Sequence, residues 1–108
     1  MSNGPITVRD DVAVIADADL ERFRDGDPDA VRLVYREYGR LVYSVAMRVL
    51  GSAPLAEEAT QVTFVKAWQG SDTFAIEREL APWLATIARR AAIDIHRREA
   101  RRATVSIG

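Results

Sequence analysis

Apolar residues recur along this chain at spacings of three and four, and glycine–proline punctuation separates the runs. The first run, "DADLERFRD" over residues 17–25, predicts a short helix with Leu20 and Phe23 turned inward, stopped by Gly26. In "DGDPDA", Asp27 is placed to cap a helix whose first position is Pro28, where the missing N–H costs nothing. From there Val31, Val34, Tyr38, Leu41, Val45 and Val49 form a continuous stripe to about Leu50, and Gly51 is a fitting stop. "GSAP" repeats the device: Ser52 or Ala53 caps, and Pro54 opens a helix over 54–69 that Gly70 closes. Residues 70–79, "GSDTFAIERE", hold no period and read as a loop. A last helix is predicted from Leu80 to about Ala100. No strand-like alternation and no repeat appears. The expectation is an all-α fold: a compact antiparallel bundle of three main helices plus a short N-terminal helix. Residues 1–16 are expected to be a flexible leading segment, 17–102 the helical domain, and 103–108 the start of a linker.

Two of these helices carry more than a core face. At about 100° per residue, Leu80, Leu84, Ile87, Ala88, Ala91 and Ile95 of the last helix share one arc, its buried side. Another arc holds Thr86, Arg89, Arg90, Ile93, His96 and Arg97. An isoleucine among cations suits a surface that meets both base edges and phosphates. The competing reading is a solvated face whose arginines complement the negative end of the helix dipole, a role that Arg98, Arg101 and Arg102 fit as well. In the helix 54–69, Ala56, Thr60, Thr63, Phe64, Ala67 and Trp68 can be buried together. Glu58, Gln61, Val62 and Val65 lie opposite, either as a partner surface or because the helix is buried on two sides. In the loop, Phe74 either lids the core or, with Ile76, reaches unpaired bases.

Composition narrows the field. One domain is expected from 108 residues, and 48% hydrophobic with 29% charged residues is an ordinary globular balance. There is no cysteine and His96 is the one histidine, which removes disulfide frameworks and leaves no metal-ligand set. No apolar run approaches the roughly 20 residues that span a bilayer, and "MSNGPITVRDD" has neither the basic start nor the apolar stretch of a secretory signal, so a cytoplasmic protein without membrane contact is expected. Glu57 and Glu58 are adjacent and point about 100° apart on a helix, and no nucleophile–histidine pairing stands out, so neither catalysis nor a cofactor is expected. The net charge of −1 hides a gradient. Residues 1–30 carry three arginines and eight acids, whereas residues 81–108 carry six arginines and two acids, an asymmetry that suits a polyanion partner for the basic end. Of the 15 basic residues only Lys66 is a lysine, which fits bidentate phosphate or base contacts and equally a GC-rich genome.

The ordered motifs resemble region 2 of bacterial sigma factors of the extracytoplasmic-function (ECF) group. A tyrosine-bearing helix ends in Leu50-Gly51. Ala56-Glu57-Glu58, Gln61, Phe64 and Ala67-Trp68 follow, then Trp83-Leu84, Ile87-Ala88-Arg89, Asp94 and Arg97. The resemblance covers about residues 17–102. It implies a transcription initiation factor domain with no catalytic chemistry. The helix 54–69 would dock on the β′ clamp helices of RNA polymerase core through Glu57, Glu58, Gln61, Val62 and Val65. The loop 72–80, with Phe74, Ile76 and Arg78, would receive a base flipped from the non-template strand of the promoter minus-ten element. Thr86, Arg89, Arg90, Ile93, His96 and Arg97 would contact the DNA. An anti-sigma factor is an expected partner. Two residues depart from the family pattern: Val62 stands where an acid is common, and Arg90 where asparagine is common. The family's second helical domain, region 4, which reads the minus-thirty-five element, is expected to be absent from these 108 residues. The alternative reading is a helical protein-interaction module that does not bind DNA.

Overall fold

A computed structural model describes residues 15–107. Within them α1 spans Asp17–Arg24, α2 Pro28–Leu50, α3 Ala53–Gln69 and α4 Leu80–Ile107, with a 3₁₀ turn at Ser71–Thr73. There is no strand among the described residues. The all-α expectation holds. Most of the expected leading segment, residues 1–14, lies outside the described residues; Ile15, its next residue, packs against the core.

Helix ends form where the punctuation places them. The Asp27 carboxylate accepts a hydrogen bond from the Asp29 N–H at 2.9 Å, with Pro28 in the first turn. The Ser52 hydroxyl oxygen accepts from the Leu55 N–H at 3.4 Å. Gly51 ends α2 in the left-handed region at φ 63°, and no neighbour would meet a Cβ there, so the backbone angle alone selects glycine. α4 departs from expectation: it continues through Ile107, where a linker was expected from residue 103. Residues 101–105, "RRATV", contain neither glycine nor proline to stop it.

Two connected layers fill the core. In one, Phe23, Val34, Tyr38, Val42, Phe64, Phe74, Leu80 and Leu84 are buried together. The other is built on small residues, with Ala46, Ala56, Ala59 and Ala92 beside Ile95. The first layer joins the N-terminal half of α2, the C-terminal half of α3 and the start of α4; the second joins their opposite halves. Hence α3 runs antiparallel to both α2 and α4. Alanines at three facing helices let the axes approach toward the short end of the usual 8–10 Å range.

The buried line of α2 is Ala30, Val34, Tyr38, Val42 and Ala46, a ridge of four-residue steps. Leu41, expected in the stripe, is 37% exposed and Val42 takes its place. α2 is covered from two sides by α3 and α4, so the centre of its buried arc falls between them and Val31, Val45 and Val49 become its flanks. In α3, Trp68 also departs from expectation. It is 46% exposed, with its indole N–H donating to the Gly26 carbonyl at 2.9 Å. This bond ties the end of α3 to the α1–α2 turn. Buried Thr60 and Thr63 satisfy their hydroxyls on the carbonyls four residues back, at 2.8 and 2.7 Å.

Phe74 is fully enclosed, edge-on to Phe23 at 6.4 Å and tilted against Trp83 at 5.2 Å. Replacing it by alanine is expected to cost about 3–5 kcal/mol, read as a fall in the urea midpoint. Gly51→Ala, which introduces only the strained φ, is expected to cost about 1–2 kcal/mol by the same measurement.

Candidate functional site

The exposed face of α4 matches the wheel. Thr86, Arg89, Arg90, His96 and Arg97 are exposed and Ile93 is half-buried among them. None of Arg89, Arg90 and Arg97 forms an ion pair among the described residues, so their donors are available to an anion. At the start of α4 this face runs into a cleft of about 570 Å³ lined by Arg78, Glu79, Pro82, Trp83, Thr86, Ile87 and Arg90. Trp83, Thr86, Ile87 and Arg90 project from successive turns of one helix, and Arg78 comes from the bend before it. Trp83 is held by two rings, edge-on to Phe23 at 6.0 Å and tilted against Phe74 at 5.2 Å, so its ring is a fixed wall. The Thr86 hydroxyl donates to the Pro82 carbonyl at 3.0 Å, leaving its oxygen free to accept.

The loop residues divide. Arg78 joins the cleft. Ile76 does not: it lines a separate acidic hollow with Glu21, Arg24, Asp25 and Asp72. Phe74, expected among the DNA contacts, is 1% exposed. Its ring is part of the core and offers no face to a base in this conformation. Its contribution is to anchor the loop and brace Trp83.

On α3 the outward residues are Glu57, Gln61 and Val65, the last 51% exposed, with Val62 half-buried at the edge. Glu57 and Gln61 also line a groove of about 640 Å³ between α2 and α3, whose α2 wall is Tyr35, Arg36, Gly39, Arg40, Tyr43 and Ser44. Glu58 is occupied differently from its neighbours. Its two carboxylate oxygens accept from the Arg98 guanidinium at 2.5 and 3.0 Å, and Arg98 also donates to Glu99 at 2.7 and 3.0 Å. Arg102 extends the set to Glu99 at 3.2 Å. The bridge fastens α3 to α4. Hydrogen bonding to Arg98 holds the Glu58 carboxyl below its usual range and raises the Arg98 guanidinium further above its own. At the other end of the molecule, the Asp29 backbone N–H and then Arg22 lower the Asp27 carboxyl. Burial first, then Glu37 and Glu79, pushes the Tyr38 hydroxyl up.

Sequence reasoning missed Arg98 as the partner of Glu58, because 40 residues separate them and no periodicity links the two. It also passed over Arg36 and Arg40. Their signal was present: Arg32, Arg36, Arg40, Ser44 and Arg48 follow one another at four-residue steps along α2.

A family model for sigma-70 region 2 matches residues 34–102. The chain belongs to the sigma-70 region 2 family. Its relatives include ECF sigma factors. The ECF RNA polymerase sigma factor SigW of Bacillus subtilis is 32% identical over 75 residues, which cover 69% of this chain and 40% of the relative. SigL of Mycobacterium tuberculosis is 36% identical over 72 residues, covering 66% of this chain and 40% of the relative. This region 2 chain thus spans about two fifths of the length of those sigma factors. Among solved structures, the NMR structure of an engineered region 2 of sigmaE in complex with GTAAAA is similar, with a TM-score of 0.73 and 30% identity. The likeness covers 82% of this chain and 93% of that one.

The geometry of the Glu58–Arg98 bridge sets a pH dependence. The folded Glu58 titrates below the usual 4.5, so its contribution to stability is complete above that value and is lost as pH falls through the lower folded value. Glu58→Gln is expected to flatten this acid limb, and Arg98→Gln to flatten it equally. Urea midpoints measured from about pH 6 down to about pH 3 check both.

Proposed function

We propose that this sigma-70 region 2 chain acts in transcription initiation by docking on RNA polymerase core while it reads and opens the promoter minus-ten element. The observation that carries the reading is the convergence of Arg78, Thr86 and Arg90 on one cleft beside Trp83, continuous with the unpaired cations of α4. A base flipped from the non-template strand enters this cleft. Unstacking it costs a few kcal/mol, and stacking on an aromatic wall with hydrogen bonds to its edges offsets about that much. Trp83 is already braced, so little ordering is spent on capture. Arg89, His96 and Arg97 then hold the strand by its phosphates, and Ile93 meets sugar or base carbon. The outer face of α3 docks on the β′ clamp helices through Glu57, Gln61 and Val65, with Val62 at the rim. Glu58 acts within the domain, as half of the bridge to α4. The domain contributes positioning and melting, and the polymerase contributes the chemistry. An anti-sigma factor would work by covering either face. The sequence of the DNA in the sigmaE complex belongs to that protein; Arg90 makes this chain's own base preference a property to be measured.

The test is titration of the full chain with single-stranded promoter-type DNA and with a β′ clamp-helix fragment. Binding to both is expected, and binding to neither removes the reading. Binding to the fragment alone would leave a helical interaction module. Arg90→Ala is expected to change the ranking of oligonucleotides that differ at one base. Arg101→Ala, beyond the cleft, is expected to weaken all of them alike and to reduce the salt slope by about one. An Arg90→Ala chain with an unchanged ranking would take base selection away from this residue.

A further inference from the structure

The cleft at the start of α4 contains one residue that works against a polyanion. Glu79 lines it together with Arg78 and Arg90 and is exposed. None of these three forms an ion pair among the described residues. A carboxylate on a surface that otherwise attracts phosphate weakens binding of every strand unless a donor of the ligand meets it. Its place just before Leu80 does not account for it as a helix cap, because glutamate is not among the side chains favoured there. The lining is divided by hydrogen-bonding character. Arg78 and Arg90 only donate. Glu79 only accepts, through two oxygens, and Thr86, whose proton goes to the Pro82 carbonyl, is left to accept as well. Trp83 supplies the ring face.

We propose that the base captured in this cleft is guanine and that Glu79 selects it. This rests on the reading of the cleft as a base-capture site and gives that site its ligand. Guanine carries two adjacent acceptors, O6 and N7, which match the fork of one guanidinium, and arginine on that pair is the commonest specific base contact. Its N1–H and N2 amino group lie side by side on the neighbouring edge and match the two oxygens of a carboxylate. Adenine and cytosine each offer a single exocyclic amino donor, and thymine only its N3–H. Guanine is therefore the one DNA base that satisfies a guanidinium and a carboxylate with two bonds each. Arg90 takes O6 and N7, Glu79 takes N1–H and the N2 amino group, and the ring lies against Trp83. Arg78 is left for a flanking phosphate. In a duplex, N1 and N2 are bonded to cytosine, so Glu79 gains a partner only when that pair is broken. An unpaired guanine meets the carboxylate as a donor, whereas phosphate meets it as a like charge. Selection and opening thus use the same contact.

The probes are single-stranded oligothymidines with one variable central base, titrated against the full chain. Guanine at that position is expected to bind about tenfold tighter than adenine, cytosine or thymine. Deoxyinosine, which lacks only the N2 amino group, is expected to bind the unaltered chain about fivefold more weakly than guanine and to match guanine in Glu79→Ala. The 7-deaza analogue of guanine, which lacks N7, is expected to bind the unaltered chain more weakly than guanine and to match it in Arg90→Ala. A carboxylate that serves only the α4 dipole or general repulsion would behave differently: Glu79→Ala would then shift all the oligonucleotides alike. That outcome overturns the inference. So does a ranking in which guanine is not first, or a guanine–inosine gap that survives Glu79→Ala. An unaltered chain that binds none of the oligonucleotides removes the base-capture reading itself, and the guanine assignment falls with it.

Discussion

The arrangement of this domain depends on one aromatic anchor. The loop between α3 and α4 has no regular structure after its 3₁₀ turn, and it is fixed because Phe74 is driven into the core between Phe23 of α1 and Trp83 of α4. Burial of a phenylalanine side chain contributes on the order of 2 kcal/mol, and the ring contacts add to it. The same contact does two jobs. It carries the backbone of the loop across the end of the bundle, so that Arg78 arrives beside α4. It also braces Trp83, the aromatic wall of the cleft. The loop is therefore positioned by a residue that itself touches nothing outside the core.

The opposite end is organised by size and charge. Alanines at 46, 56, 59 and 92 bring α2, α3 and α4 close together. Just beyond that layer the Arg98–Glu58–Glu99 set joins α3 to α4. Its groups are half-buried and still reached by solvent, so its energetic contribution is modest and screened by salt. Its effect is directional. A helix of 28 residues that reaches past the bundle needs lateral fastening if the arginine face is to stay in register with the cleft at its start.

Elements governed by local physics were legible in the sequence. The cap at Asp27, the stop at Gly51, the start near Leu80 and the two-sided character of α4 each follow from neighbours within one or two turns. What was not legible depended on meetings across the fold. Leu41 and Val42 differ only in which side of α2 the other helices cover. Trp68 looked like a core residue until Gly26, 42 positions away, offered its carbonyl at the surface. Nothing near Glu58 in the sequence shows that Arg98, 40 positions away, pairs with it. Phe74 stood open between lid and base contact because hydrophobic pattern says that a side chain wants burial and cannot say by what. The helix α4 extends past the expected end near Ala100 to Ile107. A solvated helix needs no stripe where each residue has adequate propensity and the turn before it is already formed.

Charge completes the division of the surface. A net charge of −1 would suggest little attraction for nucleic acid if the charge were spread evenly. It is not. At the α1 end Arg22 is paired with Asp19 and Asp27, and Arg32 with Asp29, so acids and arginines neutralise one another locally. Arg78, Arg89, Arg90 and Arg97 have no such partners among the described residues, and they lie along one face. Screening confines each group's influence to about 8–10 Å in physiological salt, so a bound strand senses those arginines and scarcely the distant carboxylates. The α2–α3 groove, with Arg36 and Arg40, shares no lining residue with the α4 cleft. The two cationic surfaces are thus separate, one between α2 and α3 and the other on α4 and the bend before it.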